Sequence, residues 1–71
     1  MTDAGARVLQ VLADGQARTV KQIAQASGRC QRMTLAAVQG CQVAGLVDLL
    51  PATRPVQLRI TQAGQDALRS Q

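Results

Sequence analysis

The chain has 71 residues, 46% of them hydrophobic and none aromatic, and it sets eight Lys and Arg against four Asp, with no Glu and no His, for a formal net charge of +4. That length bounds it to one domain, residues 1–71, with a thin stability margin and an aliphatic core. Without His or Glu, acid–base pairs and zinc sites are hard to assemble. Without aromatic rings, single strands cannot be held by stacking, and the basic balance favours a polyanion.

Residues 3–13 are predicted as the first helix, capped by Thr2 or Asp3, with Val8, Leu9 and Leu12 as its apolar stripe. Asp14-Gly15 ends it. Thr19 opens the second helix, and Thr19-Val20-Lys21-Gln22 has the form of a capping box. Val20, Ile23 and Ala24 supply the inner face, and Gly28 is the stop.

The third helix is predicted over 31–44. Cys30, Met33, Thr34, Ala37, Val38, Cys41 and Ala44 follow the spacing of one buried face, which leaves Gln31, Arg32, Leu35, Ala36, Gln39 and Gln42 outward. Gly40 lies inside this helix, where a close approach to another helix would account for it. Cys30 and Cys41 are eleven residues apart, roughly 16 Å along one helix and beyond disulfide reach. Both are expected to be small buried residues in a reducing cytoplasm.

After Gly45 the pattern changes. Leu46, Val47, Leu49 and Leu50 form a short apolar run, and Val56, Leu58 and Ile60 alternate with Gln57 and Arg59 as a half-buried strand. Pro51-Ala52-Thr53-Arg54-Pro55 between them is a hairpin loop. A short extra strand around 18–20 could join the sheet edge. Thr61 caps a last short helix, with Ala63, Ala67 and Leu68 inward. No signal pattern opens the chain, and no apolar run approaches membrane-spanning length.

Three fragments stand in order: Ile23-Ala24-Gln25-Ala26-Ser27-Gly28, then Ala44-Gly45-Leu46-Val47, then Ile60-Thr61-Gln62-Ala63-Gly64. At these separations the chain resembles the winged helix-turn-helix family and, within it, bacterial regulators of the MarR and IclR type. The resemblance implies an α+β, mainly α fold: a three-helix core, a two- or three-stranded β-hairpin wing and a short closing helix. It also implies that helix 31–44 enters the major groove of double-stranded DNA while the wing, 50–56, lies on the phosphate backbone. The chain departs from the pattern at the turn. Arg29 and Cys30 stand where relatives place a hydrophobic residue and then a Ser or Thr cap. Either Met33 fills that gap and Arg29 turns to solvent, or the turn itself differs.

On those surfaces Arg29 and Arg32 are candidates for guanine or phosphate, against the plain reading of solvated arginines. Gln31 and Gln39 suit adenine edges or an ordinary polar face. Leu35 suits a thymine methyl or a protein partner. Arg54 at the wing tip and Arg59 on its strand are candidates for phosphate. So are Thr19 and Lys21 at the start of the second helix, with Arg18 close by. Arg7 and Arg69 read as solubilising charges.

The expected function is sequence-specific DNA binding by a small bacterial or phage transcriptional regulator, cytoplasmic and nucleoid-associated. No cofactor or metal is expected, and no enzyme activity. A homodimer or a protein partner would raise the affinity of so small a module. The alternative is a winged helix that docks on protein alone.

Overall fold

The computed structural model describes residues 3–70; the predicted Thr2 cap lies outside them. In chain order the elements are α1 (Asp3–Val11), β1 (Arg18–Thr19), α2 (Val20–Ser27), α3 (Gln31–Val43), β2 (Val47–Leu50), β3 (Gln57–Ile60) and α4 (Gln62–Arg69). The fold is α+β and mainly α, with four helices and a three-stranded antiparallel sheet in the order β1-β3-β2. The extra edge strand is present, pairing Arg18 with Leu58 and Thr19 with Gln57. No helix among the described residues is long and apolar enough to cross a membrane.

Local chemistry sets most boundaries. α1 gives way to a turn after Val11, two residues before the predicted end, and Gly15 closes that turn by donating to the Leu12 carbonyl at 3.0 Å. Thr19 and Gln22 form a complete capping box. The Thr19 hydroxyl accepts from the Gln22 N–H at 3.2 Å, and the Gln22 side-chain carbonyl accepts from the Thr19 N–H at 2.9 Å. Gly28 ends α2 at φ 71°, a left-handed conformation that a side chain would strain.

Val8, Leu9 and Leu12 from α1 and Ile23 from α2 meet Val38 and Cys41 from α3 and Val47, Leu58 and Ile60 from the sheet, and together these make one core. The Cys41 thiol donates to the Gly5 carbonyl at 3.8 Å, tying α3 to α1. Burial pushes the Cys41 thiol pKa up.

The buried stripe of α3 is narrower than its spacing suggests. Thr34, Val38 and Cys41 are buried and Ala37 is half-buried, but Cys30, Met33 and Ala44 are exposed. Spacing of three and four gives the direction of a buried face, not its width. Here α1 and α2 cover one side of α3 only. Cys30 stands before the helix as its cap, Met33 falls on the flank, and Ala44 already belongs to the turn at Gly45. Ala63, expected inward, is also exposed; Gly64 takes the buried place on α4. Gly40 has open space where a side chain would begin, so no neighbouring helix crowds it.

One residue joins the end of the helical core to the sheet and α4. Thr61 donates its N–H to the Leu46 carbonyl at 3.0 Å and its hydroxyl to the Gly45 carbonyl at 2.7 Å. The same hydroxyl oxygen accepts from the Gly64 N–H at 3.1 Å and caps α4.

Candidate nucleic-acid interface

A helix that buries three of its thirteen residues leaves most of its circumference free. On α3 the outward stripe is Arg32, Ala36, Gln39 and Val43, spaced by four, three and four, and all are exposed. Gln31, Leu35 and Gln42 flank it on one side, Met33 and Gly40 on the other. Small residues at 36 and 40 keep this surface slim. A helix about 10–12 Å across matches a major groove about 12 Å wide.

The predicted residues fall into distinct environments. Gln31, Arg32, Leu35 and Gln39 are all exposed on α3, and the Arg32 guanidinium makes no ion pair or hydrogen bond among the described residues. Arg29 does not join them. It is half-buried, its Nε has no hydrogen-bond partner, and it lines a cleft with Asp3, Ala6, Arg7 and Gln10 of α1. Met33, exposed at 55%, does not fill the place of the missing hydrophobic residue. Arg29 therefore neither turns fully to solvent nor has Met33 beside it as filler: it lies half-buried against α1. Cys30 gives α3 no side-chain cap. Thr34 instead holds the Cys30 carbonyl with both its N–H, at 3.1 Å, and its hydroxyl, at 3.0 Å.

The wing is organised by Thr53. Its hydroxyl donates to the Leu50 carbonyl at 2.8 Å and accepts from the Gln57 N–H at 3.0 Å, closing the loop between β2 and β3. Arg54 is exposed at the tip and donates to the carbonyls of Pro51 at 3.3 Å and Thr53 at 3.5 Å. The Arg54-Pro55 peptide bond is cis. Arg59 is exposed on β3 and faces Asp48 across the ladder, without an ion pair among the described residues.

At the start of α2, Lys21 is exposed and has no partner among the described residues. Thr19 is half-buried, with its hydroxyl oxygen and its amide both used in the capping box. Arg18 is occupied as well. It grips Asp14 through two nitrogens at 2.8 Å each and donates to the Val11 carbonyl at 3.0 Å. The Arg18 side chain beside it holds the Asp14 carboxyl well below the usual range. Asp66 is lowered too, by the Gln62 side chain first and then by Arg69, which bonds it within α4.

Among the described residues, the two acids that form ion pairs thus neutralise Arg18 and Arg69 and leave the cations of the α2–α3 region and the wing without acid partners. Sequence reasoning missed the outward Met33 and Val43, the latter 91% exposed, and the company that Arg29 keeps with Arg7 and Gln10. The charged Arg29 directly after the turn glycine was the available sign of the second.

Comparison with solved structures gives the fold its relatives. A MarR family transcriptional regulator from Silicibacter pomeroyi superposes with a TM-score of 0.86 at 27% identity, over 99% of this chain and 51% of that one. A MarR family protein from Bacillus stearothermophilus gives 0.87 at 20% identity, over 99% and 50%. The Bordetella bronchiseptica protein BpsR, whose DNA binding is regulated by 6-hydroxynicotinic acid, gives 0.88 at 20% identity, over 99% and 51%. The chain spans about half the length of these structures. No known sequence family and no curated protein matches it by sequence.

Proposed function

We propose that this chain, a MarR-like winged helix-turn-helix domain over residues 1–71, binds double-stranded DNA as the reading unit of a transcriptional regulator. The observation that carries the proposal is α3 itself. It buries only Thr34, Val38 and Cys41, and it turns Gln31, Arg32, Leu35 and Gln39 outward with the Arg32 charge unpaired among the described residues. On this reading Arg32 bonds a guanine edge in the major groove, the glutamines bond adenine edges, and Leu35 meets a thymine methyl. Arg54 and Arg59 of the wing and Lys21 of α2 meet phosphates. Thr19 adds its hydroxyl hydrogen, since its oxygen is already a cap. Arg29 stands apart from this set.

One such module offers a small interface, so a homodimer supplies the affinity that regulation needs. The protein works in the cytoplasm, at the nucleoid. Titration of genomic duplex fragments across salt concentrations tests the reading. Binding should weaken steeply as salt rises. Failure to bind even at low salt overturns it.

A second reading has its own support. Met33 at 55%, Leu35 at 44% and Val43 at 91% exposure put apolar surface on α3, which a docking protein would cover. Met33 and Leu35 lie on opposite flanks of the outward stripe, however, with Arg32 and Ala36 between them. Capture of a partner protein by the unaltered chain, together with no binding to any duplex even at low salt, would favour this reading.

A further inference from the structure

We propose that Arg7, Gln10 and Arg29 form an oxyanion site that takes a phosphate group, at the junction of α1 with the α2–α3 turn. These side chains line one open cleft of about 470 Å³, together with Ala6 and Asp3. Three observations point to an anion.

The first is the buried Arg29 Nε, which has no hydrogen-bond partner. A buried guanidinium N–H left unmade is costly, and it shows that nothing among the described residues fixes the Arg29 guanidinium, whose terminal nitrogens are the ones an anion in the cleft can reach. The second is the company of Arg29. Arg7 and Arg29 line the same concave surface, and neither has an acid partner among the described residues. Among the described residues Arg7 makes one bond, a long contact from Nη1 to the Ser27 carbonyl at 3.5 Å.

The third observation concerns Asp3, the one acid in the cleft. It stands four residues before Arg7 on α1, the spacing at which an acid and an arginine pair on a helix. Yet neither arginine of the cleft forms an ion pair with it. The internal counter-ion is within the cleft and pairs with no cation among the described residues. The cleft thus holds two guanidinium groups and the Gln10 amide against one uncommitted carboxylate. Guanidinium groups bind phosphate oxygens through paired, charge-assisted bonds, and an amide N–H adds a neutral donor. The phosphate has two sources with the same chemistry, a small free anion or the backbone of a duplex. The site does not depend on the DNA-binding reading above.

The test is an NMR titration of the ¹⁵N-labelled full chain with inorganic phosphate, at ionic strength held constant with chloride. The Arg29 Nε–H, the Gln10 side-chain amide and the α1 amides around Arg7 should shift together along one saturation curve. Arg7→Gln should weaken that binding roughly tenfold. Asp3→Asn should strengthen it, an effect that a purely structural role for these residues does not produce. Retained dispersion of the spectra shows that both variants fold.

A parallel titration with duplex DNA separates the sources. Shifts with phosphate alone assign the site to a free anion. Shifts at Arg29 with duplex, and a salt dependence that drops by about 0.9 in log–log slope in Arg7→Gln, assign it to the backbone. If the duplex does not bind, the DNA reading fails while the phosphate titration still decides the site. No shift with either, or equal weak shifts at Lys21 and Arg54, overturns the proposal.

Discussion

The hydroxyl of Thr61 donates to the carbonyl of Gly45 at 2.7 Å, across sixteen residues of chain. That bond joins two of the three sequence fragments that carry the family resemblance. Thr61 also supplies the α4 cap, so it acts in two places at once. Thr61→Ala should destabilise the domain by about 1–2 kcal/mol, the cost of a lost cap with an unmade hydrogen bond. Urea unfolding measures it; an unchanged midpoint would show that the bond contributes nothing.

Two helical glycines should respond to alanine with opposite signs. At Gly64 a new side-chain carbon would press on the Leu46 carbonyl and on Ile60 Cγ1. Gly64→Ala should therefore cost about 1–3 kcal/mol by overpacking. At Gly40 nothing lies within 4 Å. Gly40→Ala should stabilise by roughly 1 kcal/mol through helix propensity. Thermal unfolding of the two single variants checks both signs together.

Acid should loosen the junction between α1 and β1. Asp14 is held below its usual range mainly by the Arg18 side chain, so its contribution to stability is present above the unfolded pKa of about 3.9 and is lost as pH falls toward the folded value. Arg18→Gln should return the Asp14 carboxyl titration toward about 3.9, read by NMR. The stability gap between the two proteins should be widest near neutrality and shrink below about pH 4. A gap that stays constant with pH would assign the effect to the Val11 carbonyl contact instead.

The two proposed ways of meeting DNA should separate in one experiment. Arg32→Ala should lose about 1–3 kcal/mol for a preferred site and little elsewhere. Arg54→Ala should weaken all sequences alike and lower the salt slope by about 0.9 for each phosphate that the side chain no longer neutralises. Both residues are exposed, so unfolding midpoints should stay where they are. Equal losses on every duplex from Arg32→Ala would remove α3 from base reading.

What was legible in the chain was the chemistry of backbone ends. Thr19 with Gln22, Gly28 at its left-handed stop, and Thr61 before Gly64 each satisfy local donors or a local dihedral, and local needs are written in neighbouring residues. The hairpin followed from two prolines between a short apolar run and an alternating one. The width of the buried face of α3 was not legible, because it depends on how α1 and α2 cross it rather than on its own periodicity. Met33, Cys30 and Ala44 came out exposed for that reason. Arg29 was legible as a departure but not as a destination. Its neighbours Arg7 and Gln10 come from a helix some twenty residues earlier, and no spacing rule joins them.

The exposure of Cys30 has a practical side. It stands as the N-cap of α3, while Cys41 is 4% exposed with its thiol pKa raised by burial. A chain without tryptophan or tyrosine has no fluorescence of its own. A thiol-directed dye should therefore attach at one place, the head of the helix proposed to read DNA. It would leave the core sulfur untouched until the protein unfolds. The residue that fails as a cap thus gives the molecule an addressable point for an optical reporter, placed where an arriving duplex would change the signal.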